Sequence, residues 1–184
     1  MKPHWAYIEA TDKNELATLE RLVQSVNGNI FVDIGCFVGG FTAVMAREAK
    51  KRNGKVYSID IFKDTHEPLD FWKEHLDYNV QNIFEDNMKE IGVMDCIEVI
   101  KGISWEASTR FESESVDFIF VDADHHYSSV VKDLLNWTPK LKPGGIICGH
   151  DYNLNAPIIE QRDVQKAVDE LFNNVKVENR IWSI

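Results

Sequence analysis

The sequence predicts a doubly wound α/β fold, in which helices cover both faces of a mostly parallel, seven-stranded sheet. Apolar runs of strand length alternate with stretches of helical periodicity along the whole chain. These runs are nearly unbroken in hydrophobicity, as is typical of strands buried on both faces. Two short β-runs near the C-terminus predict an antiparallel hairpin at the sheet edge. We expect one domain over residues 1–184, with an N-terminal extension over residues 1–12.

The order of the elements follows from periodicity and from stop signals. The first helix is expected over residues 13–26, where Asp12 and Glu15 have the spacing of a capping box. Five central strands are expected over residues 30–34, 55–60, 96–100, 116–122 and 145–148. Further helices are expected over residues 41–51, within 71–91, over 128–137 and over 163–173. The terminal hairpin would pair residues 175–178 with residues 180–184.

The charge of the chain argues against nucleic acid as a partner. The formal net charge is −10, and the only basic run is Lys50, Lys51 and Arg52. Nucleic-acid binders concentrate Lys and Arg into a patch that releases counterions from the phosphate backbone. A short basic run at a helix end is typical of a solvated terminus placed favourably against the helix dipole. We therefore expect a small-molecule partner.

Cysteine usage and hydropathy favour a cytoplasmic location. Cys36, Cys96 and Cys148 lie far apart and lack the CxxC spacing of zinc or redox sites. No apolar run approaches the roughly 20 residues needed to span a bilayer, and the first 30 residues carry charges throughout, unlike a signal peptide. We expect neither a membrane nor a secretory location.

A glycine-rich turn follows the first predicted strand. Asp33 ends that strand, and Gly35, Gly39 and Gly40 give the spacing GxxxGG, which differs from the GxGxxG of dinucleotide folds. Ligands of open α/β sheets bind outside the carboxyl ends of the strands. An acid beside such a turn suits a cationic cofactor better than a pyrophosphate. The alternative is a glycine-rich βα turn without a ligand.

Two further strand ends fit a cofactor that contains ribose and adenine. Asp60 ends the second strand, where a carboxylate can accept hydrogen bonds from both hydroxyls of a ribose. After the third strand, Gly102, Ile103 and Ser104 form a small loop that could hold an adenine ring. Trp105 is a candidate contact, although burial as an ordinary packing residue is the more common role of tryptophan.

Acidic and imidazole groups follow the fourth and fifth strands. Asp122 and His125 come after the fourth strand, and His150 and Asp151 come after the fifth. Because neighbouring parallel strands end at one edge, the two aspartates could share a divalent cation such as Mg. The alternative is a polar loop in which Asp124, His125 and His126 cap the helix that begins near residue 128.

Two stretches without clear periodicity, residues 61–72 and 149–162, are candidates for functional loops. Both follow carboxyl ends of strands. Phe62, Phe71 and Trp72 would form an apolar wall over the substrate or pack in the core. His66 and His75 are expected in solvent.

These motifs occur in the order found in class I S-adenosylmethionine-dependent methyltransferases, and the chain resembles their small catechol-type and macrocin-type O-methyltransferases. The resemblance extends over residues 13–184 and implies a Rossmann-like fold. In that pattern the first acid and glycines match Asp33, Gly35 and Gly39, and the ribose acid matches Asp60. The implied cofactor-binding residues are Asp33, Gly35, Cys36, Phe37, Gly39, Gly40, Phe41, Asp60, Ile61, Gly102, Ile103, Ser104, Trp105 and Asp122.

The resemblance also implies a metal site and a base. The metal aspartates of the catechol-type enzymes fall on Asp122 and Asp151, whereas Tyr152 stands where that family has a ligand Asn. The general base, a Lys in that family, falls on His125, which can accept a hydroxyl proton near neutral pH. His150 is the second catalytic candidate, and a nitrogen ligand there would favour a transition metal over Mg.

The expected reaction is methyl transfer to a hydroxyl oxygen of a small molecule, with positioning as the main catalytic effect. Three alternatives remain open at this point. They are a metal-independent O- or N-methyltransferase with His125 or His150 as base, a catalytically silent cofactor-binding domain, and a nicotinamide-dependent oxidoreductase, against which the glycine spacing argues. The first ten residues, with Trp5 and Tyr7, are expected to form a lid or a dimer contact, and a homodimer is favoured.

Overall fold

A computed structural model describes residues 11–62, 79–152 and 159–184, with the side chains of residues 159–162 excepted. The helices and strands alternate as predicted. They are α1 Lys13–Ser25, β1 Ile30–Ile34, α2 Gly40–Lys51, β2 Lys55–Asp60, α3 Val80–Glu90, β3 Ile97–Lys101, α4 Ser104–Ala107, β4 Val116–Val121, α5 Tyr127–Trp137, β5 Leu141–Gly149, α6 Ile159–Leu171, β6 Lys176–Glu178 and β7 Ile181–Ser183. The predictions for Trp5, Tyr7, His66, Phe71, Trp72 and His75 lie outside the described residues.

The strands of the described residues form a seven-stranded sheet in the order β3-β2-β1-β4-β5-β7-β6. β1 to β5 are parallel, and β7 pairs antiparallel with both β5 and β6. The Rossmann-like fold with a C-terminal antiparallel hairpin is therefore confirmed. β1 lies between β2 and β4, with Asp33 opposite Ser58 on one side and Phe120 on the other. This order brings the ends of β1, β2, β4 and β5 to one edge.

The core consists of two apolar layers, one on each face of the sheet. One layer contains Phe31, Phe84 and Phe118, with Leu19 and Val23 of α1 packed into it. The other contains Trp137 of α5 and Trp182 of β7, both completely buried. Each described helix is too short or too polar to cross a bilayer.

α1 begins where the capping signal predicts, but only half of the expected capping box is seen. The Asp12 carboxylate accepts hydrogen bonds from the backbone N–H groups of Asn14 (2.7 Å) and Glu15 (3.2 Å). The Glu15 carboxylate is instead directed towards His150 and Arg180. Glu15, which the sequence predicts to cap α1, therefore lies at the edge of the sheet where the parallel strands end.

Most boundaries lie within two residues of the prediction, and two differ from it by four residues. β5 begins at Leu141 rather than at residue 145. Pro143 and Gly144 usually interrupt a strand, but a register shift between β4 and β5 accommodates them here. α6 begins at Ile159, four residues before the predicted start at residue 163. Neither change alters the order of the strand ends.

Candidate active site

The turn after β1 is built on two glycines with positive φ. Gly35 has φ +86° and Gly39 has φ +97°. The Gly35 N–H donates to the Ile59 carbonyl at 2.8 Å, and a Cβ on Gly35 would overlap the carbonyl oxygen of Asp122. A Cβ on Gly39 would overlap the Met88 side chain. The turn therefore lies directly against the ends of β2 and β4. Only glycine permits so close an approach at Gly35.

Asp60 organises the neighbouring loop. Its Oδ2 accepts a hydrogen bond from the Phe37 N–H at 2.8 Å, and its Oδ1 accepts one from the Phe62 N–H at 2.7 Å. Each carboxylate oxygen keeps a further acceptor site, because it carries two lone pairs. Phe37 is 43% exposed and has φ +46°. A partly exposed aromatic residue thus contacts, through its backbone, an acceptor for hydroxyl groups.

Asp33 lies beneath the turn. It is buried, Thr42 donates a hydrogen bond to its Oδ2, and its Oδ1 accepts none from the described residues. Burial is the main cause that raises the pKa of Asp33 to about 7; the hydrogen bond from Thr42 opposes it, and the nearby Asp122 and Asp60 carboxylates add to it. The Asp33 carboxyl group is therefore enclosed by the protein on the inner side of the turn.

The loop after β3 divides between surface and interior. Ile103 is 37% exposed, and nothing lies within 4 Å of the position that a Cβ on Gly102 would take. Ser104 points inwards, donates to Asp133 and accepts through its carbonyl from Trp137 Nε1 at 3.1 Å. Burial raises the pKa of Asp133 to about 7. The Ser104 hydroxyl is therefore bound to Asp133 of α5 in the protein interior.

The remaining predicted cofactor-binding residues lie in or near the turn, or after β3, and most of them contact other parts of the protein. The Cys36 thiol is buried, which raises its pKa well above the usual range. The Phe41 ring packs on Phe120 and on His150, with centroid distances of 4.7 and 5.2 Å. Lys132 lies over the Trp105 ring, 4.7 Å from its centroid. Gly40 faces Thr11, and Ile61 is half-buried.

The predicted catalytic and metal residues converge at the ends of β4 and β5. His125 Nε2 lies 3.3 Å from Asp122 Oδ1 and 3.2 Å from Asp151 Oδ2. One donor atom from each of these three residues lies within 4.8 Å of the others, a spacing that a single metal ion could span. His150 Nδ1 lies 3.5 Å from Asp151 Oδ2 and 3.9 Å from Asp122 Oδ1. We call Asp122, His125, His150 and Asp151 the acid–imidazole cluster.

Three residues near the cluster have other partners. The Asp124 carboxylate accepts from the His126 N–H and from the Ser129 hydroxyl, and it pairs with the His126 ring at 2.6 Å. Asp124 and His126 are therefore paired with each other in the loop before α5, without a side-chain hydrogen bond that caps the helix, whereas His125 turns towards the acids. The Tyr152 hydroxyl donates to Asp169 at 2.7 Å. Burial and Asp169 raise the pKa of Tyr152 to about 12. Because its hydroxyl is directed to Asp169, Tyr152 does not replace the missing Asn ligand.

Two site residues were missed by the sequence analysis. Glu15 Oε1 lies 3.1 Å from His150 Nε2, and Arg180 donates a hydrogen bond to Asp151 Oδ1. Glu15 belongs to the first turn of α1, and Arg180 to the turn between β6 and β7. Their sequence neighbourhoods predict a helix cap and a hairpin, and neither pattern indicates a contact with the ends of β4 and β5.

Solved structures of other proteins share this arrangement of helices and strands. The TM-score is 0.70 to the cofactor-bound protein Rv0187 from MTB, which is 15% identical, with 96% of this chain and 81% of that one covered. It is 0.68 to the O-methyltransferase TomG of Streptomyces achromogenes in complex with S-adenosylmethionine, which is 14% identical, with 98% and 85% covered. These structures share the fold.

At the sequence level, an uncharacterized protein of Sinorhizobium fredii, y4gI, is 44% identical over 46 residues. That match covers 25% of this chain and only 5% of the relative. A family described as a methyltransferase domain matches residues 32–152, more than half of the chain. The chain therefore belongs to the methyltransferase domain family, which confirms the prediction of a methyltransferase.

Proposed function

We propose that the protein transfers a methyl group from S-adenosylmethionine to a hydroxyl oxygen of a small molecule. The observation that carries the proposal is the contact between the glycine turn and the acid–imidazole cluster. The Asp122 N–H donates to the Ile34 carbonyl at 2.8 Å, and Gly35 packs against the Asp122 backbone. A cofactor held at the turn would have its reactive end beside candidate proton acceptors.

The residues around the turn fit this cofactor. Asp60 offers free lone pairs to ribose hydroxyls, and the exposed side chains of Phe37 and Ile103 offer apolar surface to a planar ring. Gly102 leaves open space beside Ile103. When bound, S-adenosylmethionine supplies an electrophilic methyl group, whose bond to sulfur breaks as the bond to the acceptor oxygen forms.

His125 is our candidate for the base. Its side chain is 27% exposed, so that an acceptor can approach it, and Asp122 and Asp151 lie within 3.3 Å of its Nε2. Carboxylates beside an imidazole stabilise the imidazolium that forms when the ring takes the proton of the acceptor hydroxyl. The two acids thus orient the ring and stabilise its charged form.

A divalent cation would fit Asp122, His125 and Asp151. His125 Nε2 would then be a ligand of the cation and would not act as the base. Two carboxylates with an imidazole favour Mn, Fe, Co or Zn over Mg, which prefers oxygen ligands. A metal at this place would lower the pKa of a coordinated hydroxyl group and fix its direction.

Metal-independent transfer is the second candidate. The Arg180 guanidinium donates to Asp151 Oδ1 and so places a positive charge at the cluster. With the Arg180 guanidinium beside Asp151 and no metal ion bound, His125 would act as the sole base. Dependence of turnover on a metal separates the two candidates.

The first test is calorimetric binding of S-adenosylmethionine and S-adenosylhomocysteine to the wild-type protein and to Asp60→Ala. We expect at least a tenfold loss of affinity in Asp60→Ala and none in Asp95→Ala, which removes an exposed acid paired with Lys50. Binding would then justify assays for S-adenosylhomocysteine release with catechols and sugars, with EDTA or with Mn²⁺. Well-folded protein that binds neither compound would contradict the proposal.

A further inference from the structure

α5 holds the loop after β3 at three points. The Ser104 hydroxyl donates a hydrogen bond to Asp133 Oδ1, and Trp137 Nε1 donates one to the Ser104 carbonyl at 3.1 Å. Lys132 lies over the Trp105 ring, 4.7 Å from its centroid. Asp133 and Trp137 are four residues apart and so share one face of the helix. The hydroxyl and the carbonyl of Ser104 are therefore bound by the same face of α5.

The same loop is joined to the candidate ribose acid. The Gly102 N–H donates to the Asp60 carbonyl at 2.9 Å, at the end of β2. Ile103, which is 37% exposed, follows Gly102 and precedes Ser104. It is thus held on one side by a residue bound to Asp60 and on the other by a residue bound to α5. The two contacts together fix the position of Ile103 relative to Asp60.

Packing alone does not explain a carboxyl group at Asp133, which is 1% exposed. Burial is the main cause that raises the pKa of this group to about 7; the hydrogen bond from Ser104 opposes it, and the Asp124 carboxylate adds to it. A leucine of similar size would carry no such cost of burial. The hydrogen bond to Ser104 gives the carboxyl group a role that an apolar side chain could not fill.

The order of the loop before the cofactor arrives affects how tightly the cofactor binds. A loop that is already ordered in the free protein loses little conformational freedom on binding, so that more of its contact energy appears as affinity. Ile103 offers apolar surface to the adenine base, and Asp60 offers acceptors to the ribose hydroxyls. Because the base and the ribose are covalently joined, the separation of Ile103 from Asp60 has to match the cofactor.

We propose that Asp133 is a positioning residue for S-adenosylmethionine, which acts through the Ser104 hydroxyl to hold Ile103 in place against the adenine base. This inference rests on the proposed function. Because Asp133 is buried, it contributes to affinity without contacting the cofactor. Loss of its hydrogen bond should therefore weaken binding of the base and leave binding of the ribose and the amino acid unchanged.

Calorimetry with two compounds separates these parts of the cofactor. S-ribosylhomocysteine has the ribose and the amino acid of S-adenosylhomocysteine but no base. Asp133→Leu keeps the approximate size of the side chain and removes the acceptor. We expect it to weaken S-adenosylhomocysteine binding about tenfold, the effect of one hydrogen bond, and to leave S-ribosylhomocysteine binding unchanged. Asp133→Asn, which keeps an acceptor oxygen, should restore the wild-type affinity. An equal loss for both compounds, or no rescue in Asp133→Asn, would overturn the proposal.

A double-mutant cycle tests whether Asp133 acts through Ser104. Ser104→Ala should weaken S-adenosylhomocysteine binding as much as Asp133→Leu does, and the variant that carries both changes should lose no more than either single variant. Losses that add fully would show that the two residues act independently, which contradicts the proposal. If Asp133→Leu does not fold, Ser104→Ala replaces it in the comparison of the two compounds.

Asp117→Asn is the control for a loss of stability alone. Asp117 is a buried carboxylate at the start of β4, far along the strand from the site, and it accepts from the Ile30 N–H at 2.9 Å. We expect this variant to be less stable and to bind both compounds with wild-type affinity. A loss of S-adenosylhomocysteine affinity as large as that in Asp133→Leu would assign the effect to stability and overturn the inference.

The same measurements separate this inference from the proposed function. If the wild-type protein binds S-adenosylhomocysteine and Asp133→Leu binds it equally well, the inference fails and the proposed methyl transfer stands. If the well-folded wild-type protein does not bind S-adenosylhomocysteine, the proposed function fails and the inference fails with it.

Discussion

Arg180 donates a hydrogen bond to Oδ1 of Asp151 and so joins the turn between β6 and β7 to the end of β5. The same turn is held at its backbone, because the Tyr152 N–H donates to the Arg180 carbonyl at 3.1 Å. Asp151 is 5% exposed and has φ +58°. The guanidinium thus stabilises a buried carboxylate whose other oxygen faces His125.

Arg180→Ala should lower the free energy of unfolding by about 2–3 kcal/mol, because it removes a cation from a buried carboxylate. The loss stays below the range for fully buried pairs, since the Arg180 side chain is 39% exposed. Urea denaturation measures it. Arg21→Ala is the control, since both members of its pair with Glu178 are more than half exposed and such pairs contribute about 0–1 kcal/mol. Equal losses in the two variants would contradict this account of Asp151.

Asp33 predicts a pH dependence of stability. The pKa of this carboxyl group is 3.8 in the reference state and about 7 in the folded protein. Between these values the folded state holds a proton that the unfolded state has released, so stability falls as the pH rises from about 4 to about 7. The decrease attributable to Asp33 is about 4 kcal/mol at most, and it is complete above pH 7.

Asp33→Asn tests this, since an amide oxygen can still accept from Thr42 and does not ionise. We expect the wild-type protein to lose stability relative to Asp33→Asn between about pH 4.5 and pH 7.5, as measured by urea denaturation at both values. Because Asp133 titrates in the same range in both proteins, the difference between them isolates Asp33. A constant difference across the two pH values would show that Asp33 ionises normally.

The strand ends of the site could be predicted because each follows from a short-range pattern. Apolar runs place Asp33, Asp60 and Asp122 at the ends of parallel strands, and the geometry of the sheet then brings them to one edge. Glu15 and Arg180 could not be predicted, since each has a sufficient local explanation and their contacts depend on how α1 and the hairpin pack. The direction of Ser104 likewise depends on its position in α4, which turns the hydroxyl to Asp133.

Gly35 and Gly102 make a matched pair of turn glycines. Gly35→Ala should cost about 2–4 kcal/mol and abolish cofactor binding, since it combines a positive φ with overlap on the Asp122 carbonyl. Gly102→Ala has nothing within 4 Å of the new Cβ and should leave the fold unchanged. Thermal unfolding and calorimetry with S-adenosylhomocysteine measure both effects. Normal binding by Gly35→Ala would remove the turn from the cofactor site.

His125 and His126 are adjacent in sequence but have different partners. His125 Nε2 lies between Asp122 and Asp151, whereas His126 pairs with Asp124 and is 65% exposed in its side chain. With an acceptor in hand, His125→Gln should lower kcat by about 10²- to 10⁴-fold, the usual contribution of a general base, and leave the affinity for S-adenosylhomocysteine unchanged. His126→Gln should keep both quantities near the wild-type values, because its ring pairs with Asp124 in the loop before α5. A loss of kcat in His126→Gln as large as in His125→Gln would assign the effect to the loop and not to a base.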